Sequence, residues 1–389
     1  MIRTTFCLPL MRIMVAAILT LALVHSALAA DQEKVLYTFP GGSNIWPSGS
    51  LVLDASGNLF GTTYSGEVFE LVPSSGTWTF NLLYDFGTGG EDNTWGLTLD
   101  AGGNLYGTAA QDGSSGNGVV FELTPSHSGQ WTKKALRNFK STNGGDAPYG
   151  SVIFDKAGNL YGTAIVGTKA TGVVFRLTPT SRGQWKESTA HAFGSGDSAF
   201  GPNPGLVFDA VGNLYGTTHS GGPYKSGTVF ELSPSGGKWT QSVLYSFTGG
   251  ADGQTPFEGV IFDAVGNLYG TTSGGGAYGN GVVFKLSPGN HGKWTESVID
   301  SFHCTPASLV SDAAGNIYGT TGERRDCTGS VFELKRLKSG QFQNLVLYNF
   351  NGGDGWEPYG LVLDSAGNIY GATQIGGGYD DGLIYELTP

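Results

Sequence analysis

The stretch FDAVGNLYGTT at residues 262–272 occurs a second time, letter for letter, at residues 208–218. Five looser copies follow the same plan, and they read LDASGNLFGTT, LDAGGNLYGTA, FDKAGNLYGTA, SDAAGNIYGTT and LDSAGNIYGAT. The Gly-Asn pairs of the seven copies begin at positions 57, 103, 158, 212, 266, 315 and 367, with spacings between 46 and 55 residues. A repeat of this length predicts a series of similar structural units, and it decides the fold class before any other feature.

Each unit contains four short segments with strand character, which in the fifth unit are GVIFD (259–263), NLYGTT (267–272), GVVFKL (281–286) and WTESVIDSF (294–302). The Asp-x-x-Gly-Asn between the first two segments predicts a tight hairpin, because Asp favours the start of a type I turn and Gly the left-handed position after it. Pro followed by Gly predicts a second hairpin between the third and fourth segments. Four antiparallel strands at this period predict a β-propeller blade, with the recurring Asp and Gly serving the turn rather than a ligand.

The two ends of the chain together supply one blade. The seventh unit, which begins at residue 360, contains only the first three strand segments, whereas the fourth-strand pattern stands at residues 35–39 as VLYTF. Pairing of these two ends would close the ring and leave no open strand edge. The sequence therefore predicts an all-β, seven-bladed β-propeller with four antiparallel strands per blade and a last blade closed by the N-terminal strand.

The first 29 residues do not belong to the repeat. Arg3 and Arg12, an apolar run over 13–24 and a small-residue segment at 27–29 predict a secretory signal peptide at 1–29, followed by one propeller domain at 30–389. An uncleaved membrane anchor is the alternative, although the apolar run is short for a membrane span. We expect a secreted protein, extracellular or periplasmic, with no membrane span after cleavage and no anchor at its carboxy terminus.

The negative net charge of the chain indicates which classes of partner to exclude. The formal net charge is −11, and removal of residues 1–29 takes away two arginines and no acid, which leaves −13. An acidic protein repels nucleic acid phosphates and anionic lipid surfaces. We therefore expect no nucleic acid partner, and we expect a monomer whose partners are glycans or cell-surface components.

These repeats resemble the GloVer tandem-repeat proteins, which are described as choice-of-anchor proteins because their members attach to surfaces by different carboxy-terminal devices. The resemblance is carried by GNLYGTTHSGGPYKSGTVFEL at residues 212–232, and it extends over residues 35–389. It implies an exported, repetitive β-structured protein and brings no catalytic residues with it. The Asp-x-x-Gly-Asn-Leu-Tyr turn is also similar to that of NHL repeats and gluconolactonase-like propellers, which supports the fold only.

The order of the strands places the uniform turns on one face of the predicted ring and the variable loops on the other. We call the second of these the variable face, and variable loops on a rigid scaffold are the usual place for binding. Its fourth-to-first loops combine glycine, an acid and an aromatic residue. The aromatic residues are Trp46, Trp95, Tyr149, Phe200, Phe257 and Trp356, and the acids are Asp146, Asp252 and Asp354.

Two interpretations of these loops stay open. The aromatic rings could stack on sugars while the acids accept hydrogen bonds from sugar hydroxyls. Alternatively, the aromatic side chains pack between blades. The Gly-Gly-x-Asp-Gly pieces could hold Ca²⁺ through carboxylate and carbonyl oxygens, and no motif indicates another cofactor.

Motifs of catalysis are missing from the sequence. It contains no Gly-x-Ser-x-Gly elbow and no His-Glu-x-x-His, and the histidines expected on the variable face, His219 and His303, belong to different blades. We therefore expect a secreted, non-catalytic binding or surface-interaction propeller with carbohydrate as the ligand class. An extracellular carbohydrate-active hydrolase or lyase that uses acids of the variable face is the alternative, and a structural protein of the envelope or matrix is the third hypothesis.

Two cysteines remain after the predicted cleavage. Cys304 and Cys327 fall in two variable-face loops of the sixth unit, 23 positions apart. Export favours oxidation, so we predict a disulfide within one blade. The alternative is a metal site that includes His303, but two Cys and one His without a fourth ligand form a poor zinc set.

Overall fold

The computed structural model describes residues 33–388 apart from 42–44, 88–93, 115, 127, 141–145, 167–171, 195–198 and 323–326. The predicted signal peptide lies outside the described residues, and the domain boundary at residue 30 stays a prediction. Within the described part of the chain, thirty β-strands form seven antiparallel sheets, and the helical structure is one 3₁₀ turn at Asn290–Gly292. The predicted fold, a seven-bladed β-propeller, is confirmed.

Each sheet is one blade, and its strands run in order from the central channel to the rim, with β1 (Glu33–Thr38) at the rim of the last blade. Blade one contains β2 (Pro47–Leu53), β3 (Leu59–Thr63), β4 (Glu67–Ser74) and β5 (Thr77–Asp85). Blade two contains β6 (Thr94–Leu99), β7 (Leu105–Ala109), β8 (Val119–Pro125) and β9 (Trp131–Asn138). Blade three contains β10 (Asp146–Phe154), β11 (Leu160–Val166), β12 (Gly172–Pro179) and β13 (Trp185–Phe193).

Blades four and five have five strands each, since their first strand is divided. Blade four contains β14 (Ala199–Pro202), β15 (Val207–Phe208), β16 (Leu214–Gly221), β17 (Thr228–Ser235) and β18 (Lys238–Ser246). Blade five contains β19 (Gln254–Pro256), β20 (Ile261–Phe262), β21 (Leu268–Gly274), β22 (Val282–Pro288) and β23 (Trp294–Ser301). Blade six contains β24 (Thr305–Ser311), β25 (Ile317–Gly322), β26 (Ser330–Arg336) and β27 (Phe342–Asn349), and blade seven contains β28 (Trp356–Leu363), β29 (Ile369–Ile375) and β30 (Leu383–Leu387).

The N-terminal strand closes the ring as predicted. Strand β1 pairs antiparallel with β30, from Glu33 opposite Leu387 to Thr38 opposite Leu383. The backbone N–H of Phe39 then donates to the carbonyl of Gly382 at 3.1 Å. The first strand of the described chain is therefore the rim strand of the last blade, and the carboxy-terminal strand does not present a free edge.

The recurring aspartate serves the turn, as the sequence indicates. In blade five the carboxylate of Asp263 accepts hydrogen bonds from the backbone N–H of Val265 at 3.0 Å and of Asn267 at 2.9 Å. Its other oxygen accepts from the Asn267 amide at 2.7 Å and from the Tyr269 hydroxyl at 3.1 Å. Gly266 completes the turn with a φ of +87°, which favours glycine. The Asp, Gly, Asn and Tyr of the Asp-x-x-Gly-Asn-Leu-Tyr motif therefore each have a structural task.

The first strand of blade five differs from the prediction. A single strand was expected over 259–263, whereas the structure has only the two-residue strand β20 in that range and a separate strand, β19, before it. The cause is crowding at the axis, because a side chain on Gly259 would come within 1.6 Å of the carbonyl oxygen of Gly205 in the neighbouring blade. The innermost strands of blades one, two, three, six and seven show a register shift in the same region. The bulge therefore lets seven backbones approach around the channel.

The hydrophobic core is divided among the blade interfaces. Each of seven clusters of buried residues joins two neighbouring blades. The cluster at the closure combines Leu36 and Phe39 with Leu59 of blade one and Ile384 of blade seven. Packing between blades thus holds the ring together, and the axis is left as a channel.

The predicted disulfide is present. Cys304 and Cys327 are joined with an S–S distance of 2.04 Å and a Cα–Cα distance of 6.0 Å. The bond connects the loop that enters β24 with the loop between β25 and β26. It lies within blade six on the variable face, where the order of the strands predicts both loops.

Candidate functional site

A pocket of about 190 Å³ opens at the mouth of the central channel on the variable face. Its walls come from the beginnings of innermost strands, and they include the rings of Trp95, Tyr149 and Phe257. The Trp95 and Tyr149 rings lie 4.6 Å apart between centroids, with their planes tilted by 53°. Glu357 and Gln374 add polar atoms to the same pocket. An apolar wall with a few polar groups is the usual composition of a small-molecule site.

The crowded backbone explains why these side chains stand at the mouth. Glycine follows Trp95 and Tyr149 directly, and the added side chain on Gly49 of blade one would lie 2.3 Å from the backbone nitrogen of Gly96. Side chains cannot fill the axis at this level, because neighbouring backbones touch there. The aromatic residues just before the glycines therefore collect on the variable-face side of the constriction.

A second cavity, of about 80 Å³, continues the channel below the mouth and shares Trp95 and Tyr359 with the pocket above. Glu258 lines this cavity. The carboxylate of Glu258 accepts hydrogen bonds from the backbone N–H and the hydroxyl of Ser308, each at 3.1 Å. Burial raises the pKa of Glu258, while hydrogen bonds from Ser308 and Tyr359 oppose this effect in part. The channel thus carries a carboxyl group with a raised pKa at its constriction.

The residue that holds this carboxylate, Ser308, has an uncommon backbone conformation. Its φ is +47°, which is rare for a residue other than glycine. In this conformation its N–H and hydroxyl both donate to Glu258, and its hydroxyl oxygen accepts from the N–H of Gly360 at 3.0 Å. Blades five, six and seven are therefore linked across the channel by one network.

Glu357 brings a second carboxyl group to the mouth of the channel. Burial raises its pKa, and its backbone N–H donates to the carbonyl of Thr328 at 3.1 Å. The φ of Glu357 is +54°, again a left-handed conformation. Two carboxyl groups, those of Glu258 and Glu357, therefore lie along the connected cavities, both with pKa values above the usual range.

The structure brings together three of the six predicted aromatic residues, namely Trp95, Tyr149 and Phe257. Trp46 packs against Tyr64 with centroids 5.7 Å apart, and the indole nitrogen of Trp356 donates to the carbonyl of Cys327 at 2.8 Å. Neither lines the pocket. The side chain of Phe200 lies outside the described residues. A ligand role for each of the six stays a prediction.

The predicted acids Asp252 and Asp354 bind within their own loops. Asp252 accepts from the backbone N–H of Thr248 at 2.7 Å and from the Tyr245 hydroxyl at 2.9 Å. Burial by itself would raise the pKa of Asp252, but hydrogen bonds from the Thr248 hydroxyl, the Thr248 N–H and the Tyr245 hydroxyl outweigh it and lower the pKa. Asp354 accepts from the N–H of Asn351 at 2.8 Å. The side chain of Asp146 lies outside the described residues, and the ligand role of all three acids stays a prediction.

The loops that contain Asp252 and Asp354 are also those for which the sequence suggested Ca²⁺ binding. Glu296 lies near Asp252, and Glu33 lies near Asp354, so that burial followed by the charge of the neighbouring aspartate raises the pKa of each glutamate to about 7. One carboxylate oxygen of each glutamate is buried without a hydrogen-bond partner. Among the described residues, no three His, Cys, Asp or Glu side chains come close enough to hold a metal ion. Each loop aspartate therefore has one glutamate of a rim strand near it.

Exposed tyrosines on the variable face were missed by the sequence reasoning. Tyr224, Tyr278 and Tyr379 are 59%, 52% and 66% exposed, and each lies in the second-to-third loop of its blade. Tyr278 stacks on His303, with ring centroids 3.7 Å apart. A sequence signal existed, since each tyrosine closely follows a pair of glycines in its loop.

Glu258 also had a signal in the sequence. Five positions before the turn aspartate, the seven repeats carry Gly49, Trp95, Gly150, Pro204, Glu258, Ala307 and Tyr359. Glu258 is thus the one ionisable carboxyl group in this register of the repeat. An alignment of the seven repeats on their turns would have indicated it.

Seven blades around a channel, with a pocket at one mouth, define the class of protein as a seven-bladed β-propeller. The sequence matches the Gloeobacter/Verrucomicrobia repeat over residues 22–207 and 167–335, and the chain belongs to this repeat family. The resemblance to GloVer tandem-repeat proteins is thereby confirmed. No curated protein sequence matches the chain.

Several solved structures share the architecture. Selenomethionine-substituted virginiamycin B lyase from Staphylococcus aureus is 14% identical, with a TM-score of 0.62 over 92% of this chain and 99% of that chain. A catalytically inactive form of that lyase with quinupristin is 15% identical, with a TM-score of 0.60 over 92% and 100% of the two chains. The WD40 β-propeller domain of Doa1 is 11% identical, with a TM-score of 0.58 over 92% and 98%. Likeness at these identities shows the fold alone.

The described residues contain no helix with the length and apolar character that crossing a membrane requires.

Proposed function

We propose that this protein is a secreted, non-catalytic carbohydrate-binding propeller whose pocket at the channel mouth holds a sugar ring. The observation that carries the proposal is the convergence of Trp95, Tyr149 and Phe257 beside Glu357 and Gln374. Aromatic faces pack against the C–H groups of a sugar, while carboxylate and amide groups bind its hydroxyls. The pocket provides both kinds of group within one small volume.

The size of the pocket limits the ligand. At about 190 Å³ it lies below the range of roughly 300 to 1,000 Å³ that is common for drug-sized ligands. One sugar ring at the end of a glycan therefore suits it better than an internal stretch of polysaccharide. The exposed rings of Tyr224, Tyr278 and Tyr379 lie on the same face and offer contacts to the rest of a longer chain.

The export that we expect would place the ligand outside the cell. The pattern of residues 1–29 is that of a signal peptide, and disulfides such as Cys304–Cys327 persist in oxidising compartments. The extracellular space and the periplasm both meet this requirement. Surface glycans are the polymers that such a protein would encounter there.

A glycan array with the mature protein, residues 30–389, tests the proposal, in the presence and absence of Ca²⁺. For a glycan that binds, we expect Trp95→Ala to weaken binding at least about fivefold, because one stacked ring contributes of the order of 1 kcal/mol or more. Tyr64→Ala is the matched control, since it removes a ring from the same face but not from the pocket. Failure to bind any glycan, or equal losses for both variants, would contradict the proposal.

An extracellular carbohydrate-active hydrolase or lyase is the second candidate, and the two carboxyl groups along the channel favour it. Glu258 and Glu357 both have raised pKa values, which is the property of a general acid. Incubation with a panel of polysaccharides and detection of new reducing ends or unsaturated products separates the two functions. If the protein turns over a polysaccharide and this activity is lost in Glu258→Gln or Glu357→Gln, the non-catalytic function is wrong and the protein is a carbohydrate-active enzyme.

A further inference from the structure

A larger cavity lies on the opposite face, between blades three and four. Its volume is about 600 Å³, larger than the cavities of about 190 and 80 Å³ along the channel and of about 160 Å³ between blades five and six. It lies beside the uniform turns, and it is lined by four aromatic side chains, those of Phe154, Tyr161, Phe208 and Trp239. A volume of this size falls within the usual range for small-molecule sites.

The aromatic frame of this cavity is part of the repeat. The Tyr161 ring meets Phe208 at 5.2 Å and Trp239 at 5.6 Å, in both cases edge to face. The interface of blades four and five has the same arrangement, in which Tyr215 meets Phe262 at 5.1 Å and Trp294 at 6.4 Å. The frame by itself is therefore a feature of blade packing and does not indicate a site.

Positive charge distinguishes the cavity between blades three and four. Arg176 pairs with Tyr161 across β11 and β12, at the register position where five other blades place glutamate. Those glutamates are Glu70, Glu122, Glu231, Glu333 and Glu386. Lys156 occupies a turn position at which the six other repeats have alanine or serine. Lys238 is the third cation in the lining.

These cations are not neutralised by partners in the cavity. The Nε atom of Arg176 is buried without a hydrogen-bond partner, and none of the four ion pairs found among the described residues involves Arg176, Lys156 or Lys238. The Lys156 ammonium donates to the carbonyl of Ala210 at 2.5 Å, across the gap between the two turns.

The carboxylates in the lining are engaged elsewhere. Asp155 accepts hydrogen bonds from Asn159 in its own turn, and Asp209 accepts from Asn213 in the same way. Three cationic groups thus face two carboxylates that already have donors. This local excess of positive charge stands in a chain with a net charge of −11.

We propose that this cavity binds a planar aromatic ligand with one acidic group, such as an aromatic carboxylate or sulfonate. The aromatic frame supplies the apolar walls for the ring system. Arg176 supplies a planar donor set that matches an acidic group, and Lys238 and Lys156 add charge around it. The site is independent of the sugar pocket, because it lies on the other face and shares none of its lining residues.

Titration of the mature protein with anilinonaphthalenesulfonate, an aromatic sulfonate that fluoresces in apolar sites, tests the proposal. Arg176→Glu should raise the dissociation constant at least about tenfold, because it replaces a charged donor with a like charge. The variant installs the residue that five other blades carry, so an unchanged melting temperature is expected. Lys156→Ala should raise the dissociation constant by a smaller factor.

Lys285→Glu is the matched control. Lys285 pairs with Tyr269 at the equivalent register position of blade five, where the adjacent cavity is about 160 Å³. The control has the same change of charge, and we expect its dissociation constant to stay within about twofold of the wild-type value. Trp95→Ala should also leave probe binding unchanged, which separates this site from the proposed sugar pocket. No saturable binding at about 1 mM probe, or equal losses in Arg176→Glu and Lys285→Glu, would overturn the proposal.

Discussion

Replacement of Phe39 by alanine tests whether packing by the N-terminal strand holds the ring closed. Phe39 directly follows β1 and is 1% exposed. Its ring meets Phe69 at 5.4 Å and Phe80 at 6.1 Å, both in blade one. It belongs to the cluster that also contains Ile384 of blade seven. The side chain therefore contacts both blades that meet at the closure.

The expected cost follows from this burial. Truncation of a fully buried phenylalanine to alanine removes roughly 3 to 5 kcal/mol from the free energy of unfolding, since apolar contacts are lost and a cavity remains. Val35→Ala on the same strand is the control, because Val35 is 42% exposed. We expect the control to change the free energy of unfolding by about 0.5 kcal/mol or less.

Equilibrium unfolding in urea measures both variants. The midpoint should fall for Phe39→Ala while the denaturant slope stays constant, as expected for a change in stability alone. Deletion of residues 31–39 should go further, because it leaves β30 as an open edge and promotes aggregation. A cost below about 1 kcal/mol for Phe39→Ala, or a melting curve unaffected by the deletion, would refute closure by this strand.

Three further predictions concern pH, the disulfide and the turn. Burial raises the pKa of Glu33 from 4.5 to about 7, so the folded state binds this proton more tightly than the unfolded state does. The protonated carboxyl group therefore adds to the free energy of unfolding below pH 4.5, and this contribution is lost as the pH rises through about 7. The melting temperature of Glu33→Gln should therefore fall less over this range than that of the wild type, and parallel curves would be inconsistent with this pKa. Loss of the disulfide in the double variant Cys304→Ser and Cys327→Ser should cost about 3 kcal/mol, and two free thiols in mass spectrometry of the non-reduced mature protein would argue against the bond. Tyr269→Phe reproduces Phe60 of blade one and should cost about 1 kcal/mol or less in urea unfolding; a loss above 3 kcal/mol would mean that the hydroxyl does more than donate to the turn aspartate.

The sequence by itself determined the architecture. The turn from Asp263 to Asn267 uses hydrogen bonds within five residues, so its signal is local and visible in every repeat. Counting the strand segments was enough to assign β1 to the last blade, because an incomplete blade leaves an open edge that one unassigned strand can cover. The position of Cys304 and Cys327 in two loops of one blade followed from the same count.

Only the tertiary structure decided which side chains meet at the axis. The loop sequences place an aromatic residue in six blades, yet three of the five rings that the structure describes line the pocket, while Trp356 turns to the carbonyl of Cys327. Glu258 reaches Ser308 of the next blade because seven bulged backbones crowd around the channel. Such contacts depend on the distance between neighbouring blades. An alignment of the repeats gives no information on that distance.

The cavity between blades three and four shows both contributions together. The sequence places Arg176 where most repeats have glutamate, and this departure is visible without any coordinates. Only the folded ring shows that Arg176 and Trp239 of the following blade line one cavity of about 600 Å³. Local hydrogen bonds and strand patterns fix the blade, whereas the packing of one blade on the next, which is non-local, fixes the sites.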